Sequence, residues 1–155
     1  MTTKTTMSRW RLRKKVNRHH GPAGERHSGV FKGFTMPIQE WSEHIWLVKL
    51  SNDPEFNEEL AAVRVRLEKC LARSGGRPSG LPDIVLDLSD VEHVNSSNLS
   101  QLLRLRKMMI DGEVRLRLIS PTDAVWIVFI STALDKVFEF REDAATALAE
   151  LQIGD

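Results

Sequence analysis

Apolar positions along residues 36–152 recur with a period of two in some stretches and three to four in others, which lays out an ordered series of strands and helices. Two apolar stretches within 37–50 flank Ser42 and Glu43, predicting a hairpin whose second strand is IWLVKL. Asp53 and Pro54 stand in the order of a cap and a first helical residue. The helix they open carries the stripe Phe56, Leu60, Val63, Leu67 and Leu71, with Arg64, Arg66, Glu68 and Lys69 on the opposite face. A Gly/Pro/Ser stretch at 75–81 stops it. Ile84, Val85, Leu86 and Leu88, interrupted only by Asp87, then read as a strand covered on both faces.

Leu99, Leu102, Leu103, Met109 and Ile110 are spaced for a second helix that begins near 95–97 and closes at Gly112. Val114, Leu116 and Leu118 alternate with Glu113, Arg115 and Arg117, the pattern of a strand wet on one face. Ser120 and Asp123 have capping-box spacing, with Pro121 just inside the start of a very apolar helix at 124–131. Residues 137–140 read as a last short strand, and Ala144, Leu148 and Leu151 as the inner stripe of a terminal helix. Strands alternating with helices after an initial hairpin predict an α/β fold: a single domain, 36–155, with packed helices on a mixed, mostly parallel sheet.

A chain of 155 residues, 41% hydrophobic and 28% charged, suits one such domain with length to spare. The net charge of +1 conceals a split. Residues 1–35 hold nine Lys/Arg against one Glu, a net of +8, and the other 120 hold 13 basic and 20 acidic side chains, a net of −7. The basic stretch is expected to be a disordered arm able to engage nucleic acid or an acidic surface, or else upstream sequence preceding a true start at Met36. With no long apolar run and no secretory leader, a soluble, cytoplasmic protein is expected.

The single cysteine, Cys70, excludes an internal disulfide and reads as a small core residue. Histidines 19, 20, 27, 44 and 93 lack zinc-site spacing, so no metal or other cofactor is implied. Gly75-Gly76 is followed by no Lys-Ser/Thr, and no Gly-x-Ser-x-Gly elbow occurs. Asp87, Asp90 and Glu92 read as loop and strand-end acids. These features point away from an enzyme. The 124–131 helix is apolar nearly all round, and Trp126 is its candidate for an exposed anchor that binds a partner.

The most informative chemistry is at 95–97. Asn95, Ser96 and Ser97 at a helix mouth are either plain caps or a phosphoacceptor, because a phosphate there meets unpaired N–H groups and the positive end of the helix dipole. Val94, Asn95, Ser96, Ser97, Asn98 and Leu99, followed by a leucine-rich helix, Gly112, VRLRLIS, Pro121 and the Leu134-Asp135/Phe138 stretch, resemble the STAS domain of anti-sigma factor antagonists over roughly 36–152. That family usually has Asp where Asn95 stands, Gly where Asn98 stands, and a Gly-x-Leu-Asp turn near 51–54. The resemblance implies Ser96 as phosphoacceptor, Ser97 as the alternative, and Asn95 and Asn98 as partner-contacting residues. It further implies an anti-sigma factor or an ATP-dependent serine kinase as partner. Its alternative implication is a STAS-like structural subunit of a transporter or signalling scaffold that is never phosphorylated. The sequence leaves the oligomeric state open.

Overall fold

The computed structural model describes residues 37–76 and 80–153. The basic stretch 1–35 and the start at Met36 lie outside the described residues. The elements are β1 (Ile38–Ser42), β2 (Ile45–Lys49), α1 (Glu55–Arg73), β3 (Asp83–Asp87), α2 (Ser96–Asp111), β4 (Leu116–Ile119), α3 (Asp123–Ser131), β5 (Phe140–Arg141) and α4 (Ala144–Ile153), with a 3₁₀ turn at Leu134–Lys136. Five strands form one sheet in the order β1-β2-β3-β4-β5. The β1–β2 hairpin is antiparallel and every later pair is parallel. The predicted α/β architecture is therefore the observed one.

Parallel strands in sequential order require right-handed crossovers, which place α1, α2 and α3 together on one face of the sheet. That face holds the larger core. Trp46 and Val48 from β2, Ile84 and Leu86 from β3, and Leu116 and Leu118 from β4 meet Phe56, Leu60, Val63 and Leu67 of α1, and Leu99, Leu102, Leu105 and Met109 of α2. Many of these side chains are fully buried, and each contributes about 1.5–3 kcal/mol relative to exposure. The intervening residues Ile45, Val85 and Ile119 point to the other face, where with Leu47 they meet Ala144, Ala147, Leu148 and Leu151 of α4. Cys70 lies partly buried against the larger core.

The second face also carries charge. Arg115 and Arg117, predicted to lie on a solvent-facing side of the strand, are tied down by or beneath α4. Arg115 donates to both Asp83 oxygens through its backbone N (2.7 Å) and Nη2 (2.8 Å), and to the Leu151 carbonyl at 3.0 Å. Glu150 accepts from Arg117 Nε at 2.7 Å and from Arg141 Nη2 at 2.8 Å. A thin apolar contact is thus reinforced by ion pairs.

Three local expectations are corrected. Of the strand expected at 137–140 only Phe140 is in one, because the N–H groups of Val137 and Phe138 close back on the Leu134 carbonyl, and β5 begins at Phe140. The cap of α3 is Thr122, whose Oγ1 accepts from the Val125 N–H at 3.3 Å. Ser120 instead adopts φ +55° and donates to the Glu142 carbonyl. Trp126 is not an exposed anchor: it is 6% exposed and stands edge-on to Phe140, ring centres 5.0 Å apart. The outward apolar residues of α3 are Ile127 and Ile130. No helix among the described residues is long and apolar enough to cross a membrane.

Partial burial of the Glu150 carboxyl opposes its ionisation, but hydrogen bonds from Arg141 and Arg117 and their charges outweigh this and hold it below the usual glutamate range. A depressed carboxyl stabilises the fold above its unfolded-state value, and the benefit disappears as pH falls through the folded-state value. Glu150→Gln is expected to lower stability near neutral pH by at most about 1 kcal/mol, since the group is partly solvated. Urea midpoints of the two proteins should converge as the solution is acidified through the folded-state value; a gap that persists in strong acid would contradict the assignment.

Candidate functional site

Because β2 and β3 run parallel in direct register, Lys49 opposite Asp87, the loops that follow them emerge side by side at the same sheet edge. One loop leads into α1 and the other into α2. Asn52 Oδ1 accepts from the Glu92 N–H at 2.7 Å, the first bond between the two loops. Thr122, entering α3, donates to the Val91 carbonyl at 3.1 Å and ties in the third loop.

The mouth of α2 is built on a reciprocal cap. Asn95 has extended backbone, its Oδ1 accepts from the Asn98 N–H, and Asn98 Oδ1 accepts from the Asn95 N–H, both at 2.9 Å. This is a capping box with an amide in place of the usual Glu or Gln. The two side-chain nitrogens are used as well. Asn95 Nδ2 donates to Asp53 Oδ2 at 2.8 Å, and Asn98 Nδ2 donates to Asp53 Oδ1 at 2.9 Å and to Asn57 Oδ1 at 3.0 Å. Asn57 in turn donates to Ser97 Oγ at 3.0 Å. Asp53, expected to cap α1, does not: Pro54 holds the cap position with no side-chain bond, and the Asp53 carboxylate is turned to the other loop.

Behind Asp53, Glu59 accepts from both the Ser51 N–H (2.8 Å) and Ser51 Oγ (3.1 Å), which secures the segment leading into α1. Burial pushes the Glu59 carboxyl above its ordinary range despite those bonds, and the negative charges of Glu55 and Glu58 add to the rise.

The expected site residues therefore separate. Asn95, Ser96 and Ser97 are exposed, whereas Asn98 is 1% exposed and serves as an internal strut, not a contact surface. Ser97 is engaged by Asn57. Ser96, the first residue of α2, offers an outward hydroxyl with no hydrogen bond among the described residues. Trp126 is withdrawn into the interior. Sequence reasoning passed over Asp53, Asn57 and Asn52 as site residues; the available signal was the density of Asn and Asp at the starts of both helices. No group of three or more His, Cys, Asp or Glu suited to a metal occurs among the described residues.

The profile of the STAS domain family matches residues 42–147. No curated protein matches the sequence closely. Among solved structures, the chain is similar to an anti-sigma-factor antagonist domain protein of Planctomyces limnophilus, at 17% identity and TM-score 0.59, covering 74% of this chain and 97% of that one. RsbS of Moorella thermoacetica gives 18% and 0.56, covering 75% and 96%. The anti-sigma factor antagonist SpoIIAA gives 15% and 0.56 in its unphosphorylated form, covering 74% and 94%, and the Bacillus protein has also been solved phosphorylated. At these identities the likeness is one of fold.

Asn98→Ala leaves the Asp53 and Asn57 oxygens and the Asn95 N–H each short of a partner in a half-buried setting. It is expected to cost about 2–3 kcal/mol, the scale for unsatisfied buried polar groups. Chemical denaturation measures this, and a loss below about 0.5 kcal/mol, the level of an ordinary surface change, would show that the strut is dispensable.

Proposed function

The chain belongs to the STAS domain family, and from that premise we propose that it is a regulatory protein-binding module switched by phosphorylation of Ser96. The observation that carries this reading is the contrast at the mouth of α2. Asn95, Ser97 and Asn98 are all committed to internal hydrogen bonds, and Ser96 alone presents an uncommitted hydroxyl to solvent. The partner class is an anti-sigma factor or an ATP-dependent serine kinase, the role of this chain being regulatory and not catalytic.

The surface beside Ser96 fits a protein contact. Spacings of seven, four and three place Leu103, Lys107 and Ile110 on the same stripe of α2 as Ser96. Leu103 and Ile110 are 39% and 53% exposed. A phosphate adds a charge of about −1.5 to −2 and three acceptor oxygens at the end of that stripe. The fold itself tolerates the addition, since the first turn of a helix favours anions. A partner closing over the stripe has to desolvate it.

A second reading, a permanently docked subunit that is never phosphorylated, is favoured by the neutral Asn95 where the family usually has Asp. The two readings separate on substitution. With Ser96 as the switch, full-length protein purified from its native cells carries phosphate on Ser96, Ser96→Ala carries none and keeps its partner, and Ser96→Asp loses partner affinity by about tenfold or more, or about 1.4 kcal/mol. Phosphopeptide mass spectrometry and pull-down read both. Phosphate located elsewhere, or equal partner retention by both variants, would favour the docked subunit.

A further inference from the structure

Asn95 and Asn98 converge on one carboxylate, that of Asp53 in the loop leading into α1. We propose that Asp53 is the positioning residue of the serine turn, that Asn95 and Asn98 are its matched partners, and that the negative charge of the turn stands on the segment leading into α1 and not beside Ser96. The functional consequence rests on Ser96 being the switch residue; the pairing itself stands on the geometry.

Donors and acceptors at the three side chains match one for one. Asn95 uses its amide at both ends, the oxygen for the Asn98 N–H and the nitrogen for Asp53 Oδ2. An aspartate at 95 keeps the first bond but sets a second carboxylate oxygen against Asp53 at the present 2.8 Å separation. Two carboxylates in contact cannot both remain ionised without a large penalty. Asn98 is likewise used in full: its oxygen takes the Asn95 N–H, and its two N–H hydrogens go to Asp53 Oδ1 and Asn57 Oδ1. Asp53 therefore needs donors at both neighbouring positions, and both neighbours are built to have an acceptor between them.

The same inventory admits one exchange. With Asp at 95 and Asn at 53, the carboxylate at 95 accepts from the Asn98 N–H and from the new amide at 53, whose oxygen accepts from Asn98 Nδ2. Every bond survives with the 53–95 pair reversed in polarity, and the charge moves next to Ser96.

Four full-length proteins test this as a double-mutant cycle: the parent, Asp53→Asn, Asn95→Asp, and the double variant. Each single change is expected to raise the unfolding equilibrium constant about tenfold, the scale of one hydrogen bond to a charged group. Amide hydrogen exchange at 95–99 should quicken in the single variants relative to α4, and both measures should return to within about threefold of the parent in the double. If a single variant does not fold, recovery of fold in the double supports the pairing equally. Additive losses in the double, or an Asn95→Asp protein indistinguishable from the parent, would overturn the pairing. Failure to find phosphate on Ser96 would end the switch reading and leave this cycle's result standing, so the two fail separately.

Discussion

The parallel pairing of β2 with β3 is the constraint from which the rest of the molecule follows. It is the first point where the chain must leave the sheet and return in the same direction, so it demands the α1 crossover and delivers two helix mouths to one edge. Those mouths sit close enough for a single carboxylate to bridge them. Polar backbone at two adjacent helix starts is a liability unless satisfied, and here side chains of one loop bond to groups of the other. The clamp at Asp53 is therefore a product of the topology and not an isolated motif.

The two faces of the sheet are stabilised by different means. Three helices on one side bury a continuous aliphatic and aromatic core, and the edge-on contacts of Phe129 with Phe138 and Phe140 extend it to the last strand. On the other side α4 supplies a few apolar contacts, and Arg115, Arg117 and Arg141 pair with Asp83 and Glu150. Ion pairs with partial solvent access contribute less per contact than burial, so the α4 face is the less firmly held of the two. The Ser96 site lies at the end of the stronger core, and its positions depend on the more robust half of the fold.

The order of strands and helices was legible in the sequence because each element has a clear apolar period: the stripe from Phe56 to Leu67 is buried as expected, and β3 is covered on both faces. What misled were side chains whose local and tertiary partners compete. Asp53 has the sequence position of a cap, yet two amide donors across the loop prevail over the N–H groups of α1. Ser120 has capping-box spacing, but the Glu142 carbonyl takes its hydroxyl and Thr122 becomes the cap. Trp126 sits in a helix with little apolar asymmetry, so periodicity does not tell its inner from its outer face; the ring of Phe140, remote in sequence, decides. Arg115 and Arg117 alternate like a wet strand because nothing local announces that Leu151 and Glu150 of α4 will arrive above them.

Asn98 illustrates how the same residue can be read in opposite senses. Seen as sequence, a side chain where the family usually has glycine reads as a partner-contacting residue. In the folded chain it points inward, almost fully buried, and leaves the surface at 95–97 unobstructed. Its amide also consumes hydrogen-bonding capacity that would otherwise compete for the neighbouring serines. Ser97 is held through Asn57, and the amides of Asn95 and Asn98 are held by Asp53 and by one another, so the hydroxyl at the helix mouth that changes its chemistry without breaking an internal bond is that of Ser96. On the proposed reading, a phosphate there would alter the charge presented to a partner while the clamp beneath it keeps its geometry, the separation of fold from signal that a reversible binding module requires.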